Sequence, residues 1–404
     1  MSDAAGAAEA APYYDPYDYA IDANPHPVWR RLRDEAPVYR NERLDFWALS
    51  RFADVFAASL DHETFSSAYG TVLELMSETP GESPMMIFRD PPAHTRLRKL
   101  VSRAFSPRRI GELEPRVRAL CARFLDPQVG GDGFDYLAEF GAKLPVMVIS
   151  SLLGVPEQDQ DAIREWTDAL LHREPGEENA DRHAAISREL WGYFSRYVAE
   201  RRARPRDDLI SALMTAEVVE EDGSRHRLDD TSLLAFIGLI SGAGNETVAR
   251  FLGWAATLLA RFPEQRRLLV REPGLVPNAV EELLRYDSSV QITGRVTHAE
   301  VELGGVTIGG EQSIVALLGA ANRDPAQYRD PDRLDVGREH VRPMSFGGGI
   351  HHCLGAQLAR LEAELVFAAL IERMPNLTLP EKDAPAWRRS FTLRGLSTLP
   401  AVWH

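Results

Sequence analysis

The residues best suited to chemistry surround Cys353, within the stretch Phe346–Gly355 (FGGGIHHCLG). A strongly helical pattern follows it, from Ala356 to Ile371. A free thiol just before a helix is favoured as a thiolate, because unpaired N–H groups and the helix dipole stabilise negative charge. A thiolate is a soft metal ligand, and three consecutive glycines let the backbone approach a flat ligand and point N–H groups at the sulfur. The stretch therefore predicts a metal or cofactor ligated by Cys353.

Three other interpretations of this stretch compete. A zinc site at His351, His352 and Cys353 is disfavoured, because contiguous residues chelate poorly and the chain has no C-x-x-C pair. A phosphate-binding loop is disfavoured, because the Lys-Ser/Thr ending is missing. An inert buried thiol is the commonest state of a lone cysteine. Cys121 fits that last description, within an amphipathic helix predicted from Ile110 to Leu125.

A second candidate lies in the middle of the longest predicted helix, at Ala243–Thr247 (AGNET). Glycine there costs about 1 kcal/mol relative to alanine, so space or function must justify it. At 100° per residue, one stripe of this helix holds Phe236, Ile240, Ala243 and Thr247. The Thr247 hydroxyl therefore shares a face with apolar residues that can line a cavity. The alternative is a hydroxyl bonded back to the preceding turn.

Two further patterns sort charges by helix face. Glu282 and Arg285 stand three apart, an arrangement that is normally a surface ion pair. In the helix predicted from Pro92 to Phe105, His94 and Arg98 lie about 40° apart, away from its other basic residues. Those other residues are Arg96, Lys99 and Arg103. Taken alone, this pattern indicates a solvated basic helix.

The pattern Phe346-Gly347-x-Gly349-x-His351-x-Cys353-x-Gly355 resembles the haem-binding loop of the cytochrome P450 family, with every fixed position filled. The resemblance implies haem b (iron protoporphyrin IX) as cofactor, with Cys353 as the thiolate ligand of its iron. It implies that His351 contacts a haem propionate. The remaining cofactor-binding positions that it implies are Phe346, Gly347, Gly349 and Gly355. His352 is expected to be solvent-facing or structural.

The same resemblance covers the chain from about Asp15 to Trp403 and assigns roles to the other motifs. Ala/Gly-Gly-x-Asp/Glu-Thr is the family's oxygen-activation motif. This implies that Glu246 and Thr247 relay protons and that Ala243 and Gly244 leave room for dioxygen above the haem.

The charged motifs acquire roles from the resemblance as well. The implied propionate contacts are His94, Arg98 and Arg295, where an arginine fork suits a carboxylate. Glu282 and Arg285 resemble the family's buried Glu-x-x-Arg structural pair, and Arg333 is the expected third partner.

Helices must position most of these residues. The predicted helices are Pro27–Ala36, Pro92–Phe105, Ile110–Leu125, Glu157–Leu171, Ala184–Ala203, Asp208–Ala216, Asp229–Arg261 with Asp230 or Thr231 as N-cap, Val276–Tyr286 and Ala356–Ile371. Strand patterns are fewer: Pro37–Arg40, Phe46–Leu49, Ala299–Ile308 around Gly304-Gly305, Ser313–Leu318 and a pair near Thr392 and Pro400. Thr79–Pro84 and His172–Asp181 are predicted to be mobile loops.

These elements predict a mainly α protein with small antiparallel β-sheets, and the resemblance implies the triangular cytochrome P450 fold. We expect residues 1–11 to form a disordered N-terminal tail and residues 12–404 to form a single domain. The apolar stretch from Leu233 to Leu259 contains Asn245, Glu246 and Arg250, so it predicts a buried helix rather than a membrane span.

Composition excludes several classes of protein. The 404 residues include 44% hydrophobic and 26% charged residues, which is typical of a globular protein. The 60 acidic and 46 basic side chains give a net charge of −14, which argues against binding nucleic acid. Two cysteines exclude a disulfide framework and fit a reducing cytoplasm. The N-terminus lacks the basic start and apolar segment of a signal peptide.

The resemblance implies a monooxygenase that inserts one atom of O₂ into a hydrophobic small molecule. Electrons would come from NAD(P)H through a ferredoxin reductase and a ferredoxin, and a monomer is expected. We hypothesise that an acidic ferredoxin docks on a basic patch formed by Arg96, Lys99 and Arg103, with Arg108 and Arg109 beyond it. Two alternatives remain: a peroxide-driven hydroxylase or decarboxylase, which the Glu246-Thr247 pair disfavours, and a non-catalytic haem- or lipid-binding protein.

The substrate class is predicted from the apolar mouth that Met76, Met85, Met86 and Ile87 provide. It favours a lipid, terpenoid, steroid or polyketide over a sugar. The predicted pocket residues are Met86, Phe236, Ile240, Val290, Ile292, Phe391 and Thr392.

Overall fold

Helices dominate the part of the chain that the structure describes. A computed structural model describes residues 11–73, 76–77, 79–81, 83–102, 105–171, 180–220, 222–379, 386–388 and 393–402. The first eight helices are α1 (Tyr19–Ala23), α2 (His26–Glu35), α3 (Phe52–Leu60), α4 (Ala93–Ser102), α5 (Pro107–Gly111), α6 (Glu114–Leu125), α7 (Lys143–Leu153) and α8 (Gln160–Leu171). They are followed by α9 (Ala180–Ala203), α10 (Leu209–Thr215), α11 (Asp230–Arg261), α12 (Pro263–Arg271), α13 (Val276–Tyr286), α14 (Leu318–Ala321) and α15 (Ala356–Arg373).

The strands are short and lie mostly towards the two ends of the chain. They are β1 (Val38–Asn41), β2 (Phe46–Leu49), β3 (Phe65–Ser66), β4 (Phe134–Asp135), β5 (Val218–Val219), β6 (Arg225–His226), β7 (Ile292–Thr297), β8 (Val301–Leu303), β9 (Val306–Ile308), β10 (Ser313–Leu317), β11 (Ala386–Arg388), β12 (Gly395–Thr398) and β13 (Pro400–Ala401). Five of them form one sheet in the order β1-β2-β10-β7-β3. The pair β2–β10 is parallel, and the other pairs of this sheet are antiparallel. The predicted fold class, mainly α with small sheets, is confirmed.

Helix α11 is the central element. Its N-cap is Asp229, whose carboxylate accepts the Ser232 N–H, so the prediction of Asp230 or Thr231 is wrong. The 32 residues span about 48 Å at 1.5 Å per residue. By length and composition alone α11 is apolar enough to cross a membrane, and half of its most apolar stretch is buried within the fold. It forms the core with the surrounding helices, while the large sheet carries two smaller apolar clusters.

Two differences from the predicted elements have physical causes. The helix predicted from Ile110 to Leu125 is two helices, α5 and α6, because Pro115 can begin a helix but its ring and missing N–H do not allow one to continue. Helix α7 gave no periodic signal because eight of its eleven residues are buried. Strand β7 was not predicted. Residues 1–10 and 172–179, which fall in the predicted tail and second loop, lie outside the described residues.

Candidate active site

A cavity of about 410 Å³ lies between α11 and the loop that carries Cys353. Predicted site residues that line it are Met86, Arg98, Phe236, Ile240, Ala243, Gly244, Thr247, Val290, Arg295, Phe346, Gly347, His351, Cys353 and Gly355. Residues that are more than 250 positions apart in sequence therefore meet at one site, with the Cys353 loop on one side and apolar side chains of α11 on another.

Two single turns of 3₁₀-helix, Met344–Phe346 and Gly349–His351, shape the Cys353 loop. The Cys353 N–H closes the loop by donating to the Phe346 carbonyl at 2.9 Å. Gly347 and Gly349 have φ of 66° and 61°, a left-handed conformation that favours glycine. A Cβ at Gly349 would also overlap the Ser59 carbonyl oxygen and lie 3.2 Å from the Cα of Leu60. Gly349 does not line the cavity, so its glycine is required by the positive φ and by contact with the end of α3.

The environment of the Cys353 sulfur contains several groups that stabilise an anion. Cys353 is an exposed residue that opens onto the cavity. Loss of water to the surrounding protein raises the pKa of its thiol, whereas the N–H groups of Gly355 and Ala356 and the cations Arg98 and Arg360 act to lower it. A metal cation at the sulfur would supply the stabilisation that this desolvation removes, because a coordinating thiol is deprotonated. The residues present therefore fit a thiolate ligand at the start of α15.

Three basic side chains line the cavity near one another, Arg98, Arg295 and His351, and His94 packs behind His351 without lining the cavity. The rings of His94 and His351 are 4.3 Å apart, and both nitrogens of His94 and Nε2 of His351 are buried without a partner among the described residues. Burial lowers the pKa of His94 to about 4 and that of His351 to about 2, with the neighbouring arginines acting in the same direction. Burial likewise lowers the pKa of Arg295 to about 10.

The buried Arg295 cation, the half-buried Arg98 cation and the orphaned imidazole nitrogens are groups that a ligand with carboxylates would satisfy. The predicted propionate contacts are thus brought together, and the arrangement fits haem, whose two carboxylates would lie here while Cys353 faces its iron.

Thr247 faces the cavity from α11. Its hydroxyl donates to the Ala243 carbonyl at 2.6 Å, so it is bonded back to the preceding turn and also lines the cavity. Gly244 makes room in a way that the motif did not predict, because a Cβ there would lie 2.6 Å from Cδ1 of Ile149 on α7. The missing side chain therefore admits a neighbouring helix.

Glu246 lies beside Thr247 in sequence but does not line the cavity. Its Oε1 accepts from Nε of Arg250 at 2.9 Å and from a second Arg250 nitrogen, and the two side chains are 4% and 3% exposed. The other Arg250 nitrogen donates to the Leu393 carbonyl at 2.7 Å. The acid of the motif is therefore held in a buried ion pair behind the cavity wall.

The structural pair Glu282–Arg285 on α13 is fully buried, with bonds of 2.6 and 2.8 Å. Its third partner is Arg338, whose Nε lies 3.1 Å from both Glu282 oxygens. The prediction of Arg333 is wrong, because that side chain is 67% exposed and only its backbone carbonyl accepts from Arg285. Arg285 also donates to the Asn322 carbonyl, and Asn322 bonds Ser345 beside Phe346, so the network supports the Cys353 loop.

The predicted substrate-pocket residues divide into three groups. Met86, Phe236, Ile240 and Val290 line the cavity, whereas Ile292 does not, because alternate residues of β7 face opposite sides of the sheet. Thr293 faces the cavity in its place, and Ile292 packs in an apolar cluster under the sheet. Phe391 and Thr392 lie outside the described residues.

Sequence reasoning missed Glu362, a fully buried residue of α15 that also lines the cavity. Neither carboxylate oxygen has a partner in the described part of the chain, and burial raises its pKa well above the usual range. The sequence did contain a signal for a buried Glu362. This residue lies four positions from Leu358 and from Val366, so it falls on the apolar face of the helix.

The basic patch is partly neutralised. Arg96 and Lys99 on α4 lie 3.9 and 3.7 Å from the carboxylate of Glu220, and Lys99 remains exposed while Arg96 is half-buried. Arg103 lies outside the described residues.

Comparisons with known proteins match these observations. The family model described as "Cytochrome P450" matches residues 274–397. The "Putative cytochrome P450 123" of Mycobacterium tuberculosis is 43% identical over 390 residues, covering 96% of each chain. The "Vitamin D(3) 25-hydroxylase" of Pseudonocardia autotrophica is 40% identical over 387 residues and 94% of each chain. The solved structure of the Bacillus subtilis "Bacillaene Polyketide Synthase (PKS) Cytochrome P450 PksS" has a TM-score of 0.88 and 33% identity, covering 97% of this chain and 100% of that one.

Sequence likeness along nearly the whole chain, the shared fold and the cysteine-centred cavity agree, and this chain belongs to the cytochrome P450 family of haem-binding monooxygenases.

Proposed function

We propose that the protein hydroxylates a lipid, terpenoid, steroid or polyketide, using electrons passed from NAD(P)H through a ferredoxin reductase and a ferredoxin. The observation that carries the proposal is the composition of the cavity wall around Thr247. Apolar side chains make up most of the wall away from Cys353: Met86, Ile87, Phe105, Ile149, Phe236, Leu239, Ile240, Val248 and Val290. Such a surface binds a hydrophobic molecule and leaves the hydroxyl groups of a sugar without partners.

Two relatives support the substrate class. One is named for a hydroxylation of vitamin D₃, and the other is named as the P450 of a polyketide synthase. Vitamin D₃ and polyketides are both large and mostly apolar molecules. Met86 and Ile87 are flexible or branched side chains at one end of the cavity, and methionine adapts to irregular apolar ligands.

In the proposed mechanism the residues of this chain hold the cofactor and supply protons. Cys353 would ligate the iron, while His94, Arg98, Arg295 and His351 would hold the propionates. Haem supplies reductive activation of O₂, so that one oxygen atom enters a C–H or C=C bond of the substrate and the other leaves as water. The Thr247 hydroxyl donates to the Ala243 carbonyl, so its free lone pair would accept a hydrogen bond from a water molecule in the cavity and hold that water in place.

Glu246 would renew the protons that Thr247 passes on. Since this carboxylate lies behind the wall and is ion-paired with Arg250, it makes no direct contact with the substrate, and it would have to bind a proton from water before passing one on. The apolar wall excludes other water, which limits release of hydrogen peroxide.

The proposal that an acidic ferredoxin is the electron donor rests on the charge of the α4 surface. Arg96 and Lys99 lie on an exposed face of α4 in a chain of net charge −14, so they provide a local cationic surface for an acidic ferredoxin. Both cysteines are free thiols, in keeping with a cytoplasmic location.

The test is a titration of the haem spin state with vitamin D₃, testosterone, palmitic acid and glucose, followed by product analysis. We expect a spin-state shift with at least one of the three hydrophobic compounds and none with glucose. Product should form with ferredoxin, reductase and NAD(P)H. If product forms only with hydrogen peroxide, the protein is a peroxide-driven enzyme and the proposed electron donors are wrong. If none of the three hydrophobic compounds shifts the spin state, the proposed substrate class is wrong.

The docking face is tested by charge reversal. R96E, K99E and R103E together should slow reduction at low salt, with R118E on α6 as a control. Unchanged reduction kinetics would discard this face as the ferredoxin site.

A further inference from the structure

The short hairpin formed by β5 and β6 places an acidic turn against the basic surface of α4. In sequence the turn contains Glu220, Glu221 and Asp222. The Glu220 carboxylate lies 3.9 Å from Nε of Arg96 and 3.7 Å from Nζ of Lys99. The hairpin therefore brings negative charge of this chain to the surface that we propose for an acidic ferredoxin.

The alternation of side chains along β5 explains the direction of Glu220. Val218 is buried and Val219 is exposed, so the hairpin has an inner face and an outer face. Strand β5 packs next to α4. Glu220 follows Val219 and returns to the inner face, where its half-buried side chain reaches α4. The contact is thus a consequence of strand geometry and not of a freely rotating surface side chain.

The ion pairs of Glu220 are weak enough to exchange with those of another protein. Both distances are longer than a hydrogen bond, and solvent reaches all three side chains. Ion pairs of this kind contribute little to stability and are screened by salt. A carboxylate of a partner can therefore replace Glu220 without disturbing the fold.

Helix α4 connects this surface with the cavity. Arg98, which lies between Arg96 and Lys99 in sequence, lines the cavity. A protein bound to Arg96 and Lys99 would thus be separated from the cavity by a single helix, which suits an electron donor. Glu220 determines how much of the positive charge of α4 is available to that donor.

We propose that Glu220 is an internal competitor at the ferredoxin-docking surface. In the free protein its carboxylate neutralises Arg96 and Lys99, and an acidic ferredoxin displaces it to bind the same two cations. The inference rests on the proposed docking of ferredoxin at α4 and deepens it. Because like charges at an interface repel, the competitor lowers the affinity for acidic proteins in general, and it favours a ferredoxin that presents several carboxylates over a protein that presents one.

Direct binding measures this competition without depending on turnover. The probe is an acidic plant-type [2Fe–2S] ferredoxin, and its affinity for the holoenzyme is measured by isothermal titration calorimetry at low and at high salt. We expect E220Q to lower the dissociation constant about two- to five-fold at low salt, because exposed ion pairs are weak. The difference should shrink at high salt, where exposed charges are screened. The rate of haem reduction at subsaturating ferredoxin should rise in parallel with the affinity.

Glu217 provides a matched control on the same hairpin. It accepts hydrogen bonds from Arg225 and Arg227 at 2.9 Å each, and Arg225 lies opposite the exposed Val219, which places Glu217 on the outer face. E217Q removes one negative charge and releases two cations, as E220Q does, but on the face away from α4. It should leave the dissociation constant unchanged. Equal strengthening by E217Q and E220Q would indicate a long-range effect of net charge and would overturn the proposal.

Variants of α4 separate this inference from the docking proposal on which it rests. In an R96Q/K99Q background, E220Q should no longer strengthen binding, because the two cations that it releases are absent. If R96Q/K99Q binds ferredoxin as tightly as the parent protein, the docking surface is wrong and the inference fails with it. If R96Q/K99Q weakens binding but E220Q does not strengthen it, the docking surface stands and Glu220 is not a competitor. The expected effect of E220Q is a gain of affinity, which a loss of folded protein cannot imitate.

Discussion

Removal of the Arg338 side chain, compared with removal of the Arg333 side chain, gives a direct test of the buried charge network. Sequence resemblance assigned the third position of this network to Arg333, whereas the structure assigns it to Arg338. The two residues are five apart, and both are arginines in the same connecting segment. R338A and R333A therefore remove the same atoms from neighbouring places.

The expected magnitudes follow from burial and partners. Arg338 is 12% exposed and bonds both oxygens of the fully buried Glu282. Hydrogen bonds to charged groups are each worth about 1.5–3 kcal/mol, while loss of a sole buried partner costs about 3–5 kcal/mol. Because Glu282 retains Arg285, we expect R338A to lower the free energy of unfolding by about 2–4 kcal/mol. R333A should change it by less than about 0.5 kcal/mol, since the Arg333 side chain is 67% exposed and its nearest carboxylate, that of Asp335, is 3.9 Å away.

The assay is urea unfolding of the holoenzyme, followed by far-UV circular dichroism and by Soret absorbance. R338A should also release haem at lower urea than it loses helix, because the network supports the segment before Phe346 through Asn322 and Ser345. Equal destabilisation by the two variants, or a loss below about 0.5 kcal/mol for R338A, would refute this reasoning.

Three further outcomes are expected. C353S should express without the red-shifted Soret band of the reduced carbonyl adduct, because serine supplies no thiolate, while C121A should keep the band. T247A should lower the product formed per NAD(P)H by roughly ten-fold, within the range of positioned proton donors, and T247S should restore most of it; equal yields would remove Thr247 from the relay. For Glu362 the pKa is raised in the folded protein, so folding retains a proton that the unfolded chain loses above about pH 4.3, and stability falls by about 1.4 kcal/mol per pH unit until the folded pKa is reached. E362Q should flatten this part of the urea-unfolding profile, and a profile parallel to that of the parent protein would show that Glu362 is ionised.

Contiguous motifs were the part of the site that sequence could predict. The Cys353 loop, the start of α15 and the Ala243–Thr247 turn each depend on local backbone geometry, and most of their predicted residues line the cavity, with Glu246 and Gly349 as the exceptions. Periodic patterns likewise gave α11 and α13 with ends within one residue.

Partnerships between distant segments were not predictable in the same way. Arg338 and Arg333 are equally suitable in composition, and only the fold decides which of them reaches Glu282. The direction of a side chain on a short strand is similarly open, so a one-residue error exchanged Ile292 for Thr293. Helix α7 was not predicted, because a helix buried on most sides is apolar all round and shows no helical period of apolar residues in its sequence.

The contact between Gly349 and the end of α3 has a consequence for engineering. The Gly349 turn of the Cys353 loop lies directly against the carbonyl of Ser59, almost three hundred residues earlier in the chain. Grafting the ten-residue loop alone onto another scaffold would leave its tightest turn unsupported. A transplanted Cys353 loop would need the last turn of α3 as well, to support the turn at Gly349.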